Sequence, residues 1–176
     1  AMHRPKDYSK ATMERLEKKY ADLAARTNET RTGSLRDTNI VLVLSESFTD
    51  PTWLKSVTWP ETPIPRTTAE MARTISGKML TAAFGGGTAN VEFELLTGQS
   101  MSQFTPQVQT PYEQVIPKHP DFPSAVQMLA DQGHETIALH PFSFRMYRRP
   151  QVFEDFGFDK LIDKDSMITN GRAKGG

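Results

Sequence analysis

NIVLVL, residues 39–44, is an unbroken run rich in β-branched side chains, with no alternation of polar and apolar positions. Alternation marks a strand with one wet face. Its absence in so short a run marks a strand covered on both faces, the kind found in parallel sheets. The pattern on either side agrees. Upstream, Met13, Leu16, Tyr20 and Leu23 lie on one stripe of a helix from Ser9 to Thr27, with Glu14/Lys18 and Asp22/Arg26 as i,i+4 pairs. Downstream, Thr49 to Thr68 contains Pro51, Pro60, Pro63 and Pro65 and should be mostly irregular. A second strand is predicted from Lys78 to Phe84, then a helix over Val91 to Leu96 closed near Gly98, then a proline-broken loop from Thr105 to Pro120. Pro123 to Gln132 reads as a helix with Gly133 at its C′ position, followed by the strand Glu135 to His140 and a short helix from near Pro150 to Gly157. Strands alternating with helices place the chain in the α/β class, with a mainly parallel sheet flanked by helices.

Bulk properties narrow the function by exclusion. In 176 residues, 21 basic and 21 acidic side chains cancel, so overall charge points to no nucleic acid or other polyanion. No cysteine is present, which removes disulfides, thiolate metal sites and cysteine nucleophiles together. The longest apolar run, Ile40 to Leu44, is far short of the ~20 residues a membrane helix needs. Residues 1–38 read as a tag remnant, an amphipathic surface helix and a polar connector, and residues 39–176 as the α/β portion.

In an open parallel sheet, ligands gather beyond the carboxyl ends of the strands. Glu46 follows the first predicted strand, GGGT with Thr88 follows the second, and His140 follows the third, with Tyr147 and Arg149 close behind. Thr88 opens a helix, where unpaired N–H groups and the dipole favour an anion or a developing alkoxide. Gly85, Gly86 and Gly87 would leave bare backbone and empty space beside it. Thr88 reads equally as a helix cap, Glu46 as a solvated loop residue, His140 as a satisfied core-edge histidine and Arg149 as a surface charge. The lysine and spacing of a nucleotide-binding P-loop are absent.

Three segments, NIVLVLSESFTDPTWL, FGGGTANVEFELLTGQSM and HPFSFRMYRRPQVFEDFGFDKLID, together resemble the first half of the extracellular catalytic domain of lipoteichoic acid synthases and related phosphoglycerol transferases, in the sulfatase and alkaline-phosphatase superfamily. The resemblance runs from about Asn39 to Asp163, with the three motifs in order. It implies a sulfatase-like fold, incomplete here, with Thr88 as nucleophile and Glu46, with Thr88, as a ligand of a divalent cation, manganese or magnesium. It further implies that Tyr147 and Arg149 contact the glycerol and phosphate, and that His140 faces the substrate. The donor would be the phosphatidylglycerol head group, and the acceptor a glycerophosphate polymer or a glycan. The resemblance places the parent protein in a bacterial cell membrane, through segments outside this chain, with its catalytic domain on the extracellular face.

Two departures bear on this. Tyr147 stands where the family often has tryptophan, and Arg148 where it has a small polar residue. No Asp-His dipeptide completes the cation's ligand set, so the chain by itself should bind the metal weakly and turn over little. The same motifs also fit phosphoethanolamine transfer, phosphodiester or sulfate-ester hydrolysis, or a non-catalytic glycerophosphate-binding module.

Overall fold

The computed structural model describes residues 6–45, 48–83 and 86–169. The chain divides into two units, Ala1–Val41 and Leu42–Gly176. In the first, the Ser9 hydroxyl accepts from the Thr12 N–H at 3.1 Å and caps α1, Lys10–Glu29. The helix is as expected and ends two residues later. Its i,i+4 ion pair is Lys10–Glu14 at 3.6 Å, in place of the two pairs read from the sequence. No residue of α1 is buried.

The second unit opens with a correction. Residues 39–45 and 78–83 form no strand. Val43 is 81 % exposed and Leu80 96 % exposed, so neither run is covered on one face, let alone two. A strand exists as a ladder, and these runs find no pairing partner among the described residues. Between them, the predicted irregular stretch holds a 3-10 turn, Pro51–Trp53, capped by Asp50, whose carboxylate accepts from the Thr52 N–H at 2.9 Å. It also contains the start of an unpredicted helix, α2, Pro65–Arg73. Proline at a first helical position has its φ already set and loses no hydrogen bond there, so Pro65 starts a helix instead of breaking one. An ion pair between Glu70 and Arg73 lies on its exposed face.

The core begins with α3, Thr88–Thr97, which extends the predicted helix by three residues at its start. It buries Ala89, Phe93 and Leu96, spaced i, i+4 and i+7 along one stripe. The predicted loop over 105–120 turns out to supply core as well. It folds into α4, Pro111–Gln114, and a 3-10 turn, Ile116–Lys118, and both Tyr112 and Ile116 are fully buried. Next come α5, Ala125–Ala130; β1, Ile137–Leu139; α6, Arg149–Asp155; β2, Lys160–Ile162; and α7, Lys164–Thr169. α5 is shorter than predicted, so Gly133 falls in the turn after it rather than at C′.

β1 and β2 pair in parallel, Ile137 opposite Lys160 and Leu139 opposite Ile162, with α6 in the connection between them. The fold is α/β with a parallel sheet, as the sequence implied. β2, only three residues long, carries no local signal strong enough to announce itself. Asp159 staples the entry to the pair: its carboxylate accepts from the Thr136 N–H at 2.8 Å and from the Thr136 hydroxyl at 2.9 Å. Around the sheet, Phe93 packs on Phe104 and Phe122, each at 5.6 Å between ring centres, and Tyr112 meets Phe153 and Phe156 edge-on. Aromatic pairs in such tilted and edge-on arrangements add about 0.5–1.5 kcal/mol beyond their buried area.

Candidate active site

Thr88 is the first helical residue of α3 and is half-buried. Gly87 caps the helix with φ 85°, and Gly86 has φ 132°. Both angles lie where an L side chain is strained, so the chain's path there requires glycine whatever the space. The space is open too: a Cβ on Gly86 would meet nothing within 4 Å. The empty space expected from the sequence holds at Gly86; at Gly87 a Cβ would touch Asn90 Nδ2 at 3.8 Å and Ala83 Cβ at 3.9 Å. The first turn is tied back by the Asn90 N–H, which donates to the Gly87 carbonyl at 2.8 Å. The Asn90 side chain donates from Nδ2 to the Gln109 carbonyl at 2.8 Å, while its Oδ1 is buried with no hydrogen-bond partner among the described residues.

One turn further along α3 stands Glu92, a residue the sequence reading did not single out. Its carboxylate accepts from Arg149 Nε at 3.0 Å and from Arg149 Nη2 at 2.9 Å. Arg149 is 3 % exposed and Glu92 9 %. The guanidinium expected to reach a phosphate is thus gripped on one edge by a buried carboxylate. Arg149 also lies 5.1 Å from the centre of the Tyr147 ring, so the structure does bring these two predicted residues together. The backbone before Arg149 is unusual. Tyr147 and Arg148 are consecutive non-glycine residues at φ 59° and φ 54°. Each such residue costs on the order of 1–3 kcal/mol and persists only where its surroundings hold it.

The Tyr112 hydroxyl lies in the same neighbourhood. Burial pushes its pKa up, the Glu92 charge adds to the rise and the Arg149 charge opposes it, so the group stays protonated. His140 follows β1 and prolongs the ladder, its N–H donating to the Ile162 carbonyl at 2.9 Å. Its Nδ1 accepts from the Phe142 N–H at 3.2 Å, which leaves Nε2 as the ring's donor when the imidazole is neutral, and its ring packs 5.4 Å from that of Phe144. Glu46 lies outside the described residues. Among the described residues, no group of three or more His, Asp or Glu side chains is placed to hold a metal ion.

Comparison with known proteins adds identity to this geometry. The family model described as Sulfatase matches residues 38–174. A Rhizobium meliloti (strain 1021) protein, named for cyclic beta-1,2-glucan modification, is 38 % identical over 129 residues. That alignment takes in 73 % of this chain and 19 % of the relative. The crystal structure of the lipoteichoic acid synthase LtaP from Listeria monocytogenes is similar over 49 % of this chain and 20 % of that one, at 22 % identity and a TM-score of 0.39. The chain therefore spans about a fifth of the length of each. Among the described residues no helix is long and apolar enough to cross a membrane.

Proposed function

The chain belongs to the sulfatase family, and from that premise we propose that it carries the nucleophile-bearing part of a phosphoglycerol transferase. The observation behind this is Thr88, seated as the first residue of α3 behind two glycines of positive φ, with a buried arginine anchored one helical turn away. Thr88 Oγ1 attacks the phosphorus of a glycerophosphodiester such as phosphatidylglycerol. A P–O bond forms to threonine, the P–O bond to diacylglycerol breaks, and the leaving alcohol takes up a proton. An acceptor hydroxyl then displaces the threonine, which regains its proton, and carries away the glycerophosphate. The name of the Rhizobium relative favours a glycan hydroxyl as that acceptor over a glycerophosphate polymer.

The chain's own groups have defined parts in this scheme. The N–H groups and dipole at the start of α3 favour charge developing at the phosphoryl oxygens. Arg149 offers its remaining nitrogen, Nη1, to a phosphate oxygen, Tyr147 offers a face to the glycerol, and His140 donates from Nε2 to a substrate oxygen. Sulfatase-family members are generally metal-dependent. Glu46 and Thr88 are what this chain would supply to a manganese or magnesium ion, two oxygens where such a cation takes about six. The described residues do not complete a ligand set. In the parent protein the chain would work outside the membrane, beside the lipid donor.

The test is product analysis with phosphatidylglycerol and a glycan acceptor in the full-length protein. The wild type should yield diacylglycerol and a glycerophosphate-modified glycan, with glycerophosphate trapped on the peptide containing Thr88. Thr88→Ala should lower transfer by on the order of 10³-fold or more. Transfer retained by that variant overturns the nucleophile assignment, and diacylglycerol release without glycan modification turns the reading towards hydrolysis.

A further inference from the structure

Glu92 takes no part in the displacement at phosphorus, yet its ion pair with Arg149 joins the two segments that the displacement uses. Thr88 and Glu92 are four residues apart on α3 and so share a face of that helix. Arg149 begins α6, directly after the left-handed residues Tyr147 and Arg148. A guanidinium is planar and rigid, with five N–H donors, so gripping one edge fixes where the other edge lies. Glu92 grips Nε and Nη2. The edge left for another acceptor is Nη1.

We propose that Glu92 is a positioning residue: its carboxylate fixes the Arg149 guanidinium so that Nη1 receives a phosphoryl oxygen, and it holds the strained Tyr147–Arg148 turn against the helix that starts at Thr88. The proposal rests on the phosphoryl-transfer reading for the identity of the anion. A buried ion pair that served stability alone would make the same contacts, so the test must read more than folding. The Tyr147 ring on the same guanidinium adds a second restraint on its plane.

The experiment is titration of the ¹⁵N-labelled full-length protein with glycerol 3-phosphate, following backbone amides and the Arg149 Nε–H signal, which Arg149→Lys identifies by removing it. In the wild type that signal should be protected from exchange and should shift on titration. In Glu92→Gln it should move to the position of exposed arginines, and affinity for glycerol phosphate should fall at least tenfold in protein that remains folded. Glu92→Asp keeps the charge but draws it back, and should recover part of that loss. If Glu92→Gln does not fold, Glu92→Asp carries the test through a severalfold loss of affinity. Glycerol phosphate affinity within twofold of wild type in a folded Glu92 variant overturns the positioning role and leaves the functional reading standing. A full-length wild type that binds no glycerol phosphate overturns the functional reading, and the role of Glu92 with it.

Discussion

The runs at 40–44 and 137–139 are alike on paper, and the first is the longer and the more β-branched. Their fates are opposite. Ile137–Leu139 forms a parallel ladder with Lys160–Ile162, whereas Ile40–Leu44 pairs with nothing among the described residues and leaves Val41 and Val43 more than four-fifths exposed. Apolar content does not separate them; a partner does. β1 finds its partner after one crossover, through α6, whose Val152 and Phe153 are buried in the same core. A strand preference of at most ~1 kcal/mol per residue is too weak to hold an extended segment without such pairing.

The contrast can be broken by mutation, most forcefully in the core beside β1. Phe156→Ala removes a fully buried ring that meets Tyr112 edge-on and should cost about 3–5 kcal/mol, read as a lower denaturant midpoint. A loss below ~1 kcal/mol would mean that this core is not what holds the unit together.

Gly157→Ala should come next. Gly157 ends α6 at φ 91°, and a Cβ there would lie 2.6 Å from Gln127 Oε1 and 3.1 Å from Gln127 Cα. Strain and overlap together should cost about 1–3 kcal/mol, and the β1–β2 amides should exchange faster as the crossover loosens. Unchanged exchange would separate the end of α6 from sheet pairing.

A smaller effect follows acid. The Thr136 N–H and hydroxyl hold the Asp159 carboxyl below its ordinary 3.8. A depressed carboxyl contributes stability that is full above about its unfolded value and is lost as pH falls through the lower folded value. Thermal melts should therefore weaken below about pH 4 in the wild type, and Asp159→Asn should flatten that part of the profile.

The smallest change belongs to the other run. Val43→Ser should alter stability by less than about 0.5 kcal/mol, because the side chain is already in water. A large loss there would show that this run is covered in solution.

The sequence was legible wherever the signal is local. The start of α1 near Ser9, the start of α6 near Pro150, Gly98 and Gly157 at helix ends, and the first strand of the sheet could all be read from a few neighbouring residues. Pro65 misled because the same residue breaks a helix interior and opens a helix start, and only the residues that follow decide which. In the candidate site, the threonine after the glycines was visible as the start of a helix. Glu92 carried one usable hint, its i,i+4 spacing from Thr88; its pairing with a residue 57 positions away did not show.

What the sequence determined by itself is thus several helix ends, the glycines that lead into α3 and the family, since caps, backbone angles and ordered motifs are properties of short stretches. The tertiary structure alone decided which extended runs became strands and which edge of Arg149 was taken. A ladder and a buried ion pair are each made by two partners distant in the chain, and their free energy exists only once both have been brought together.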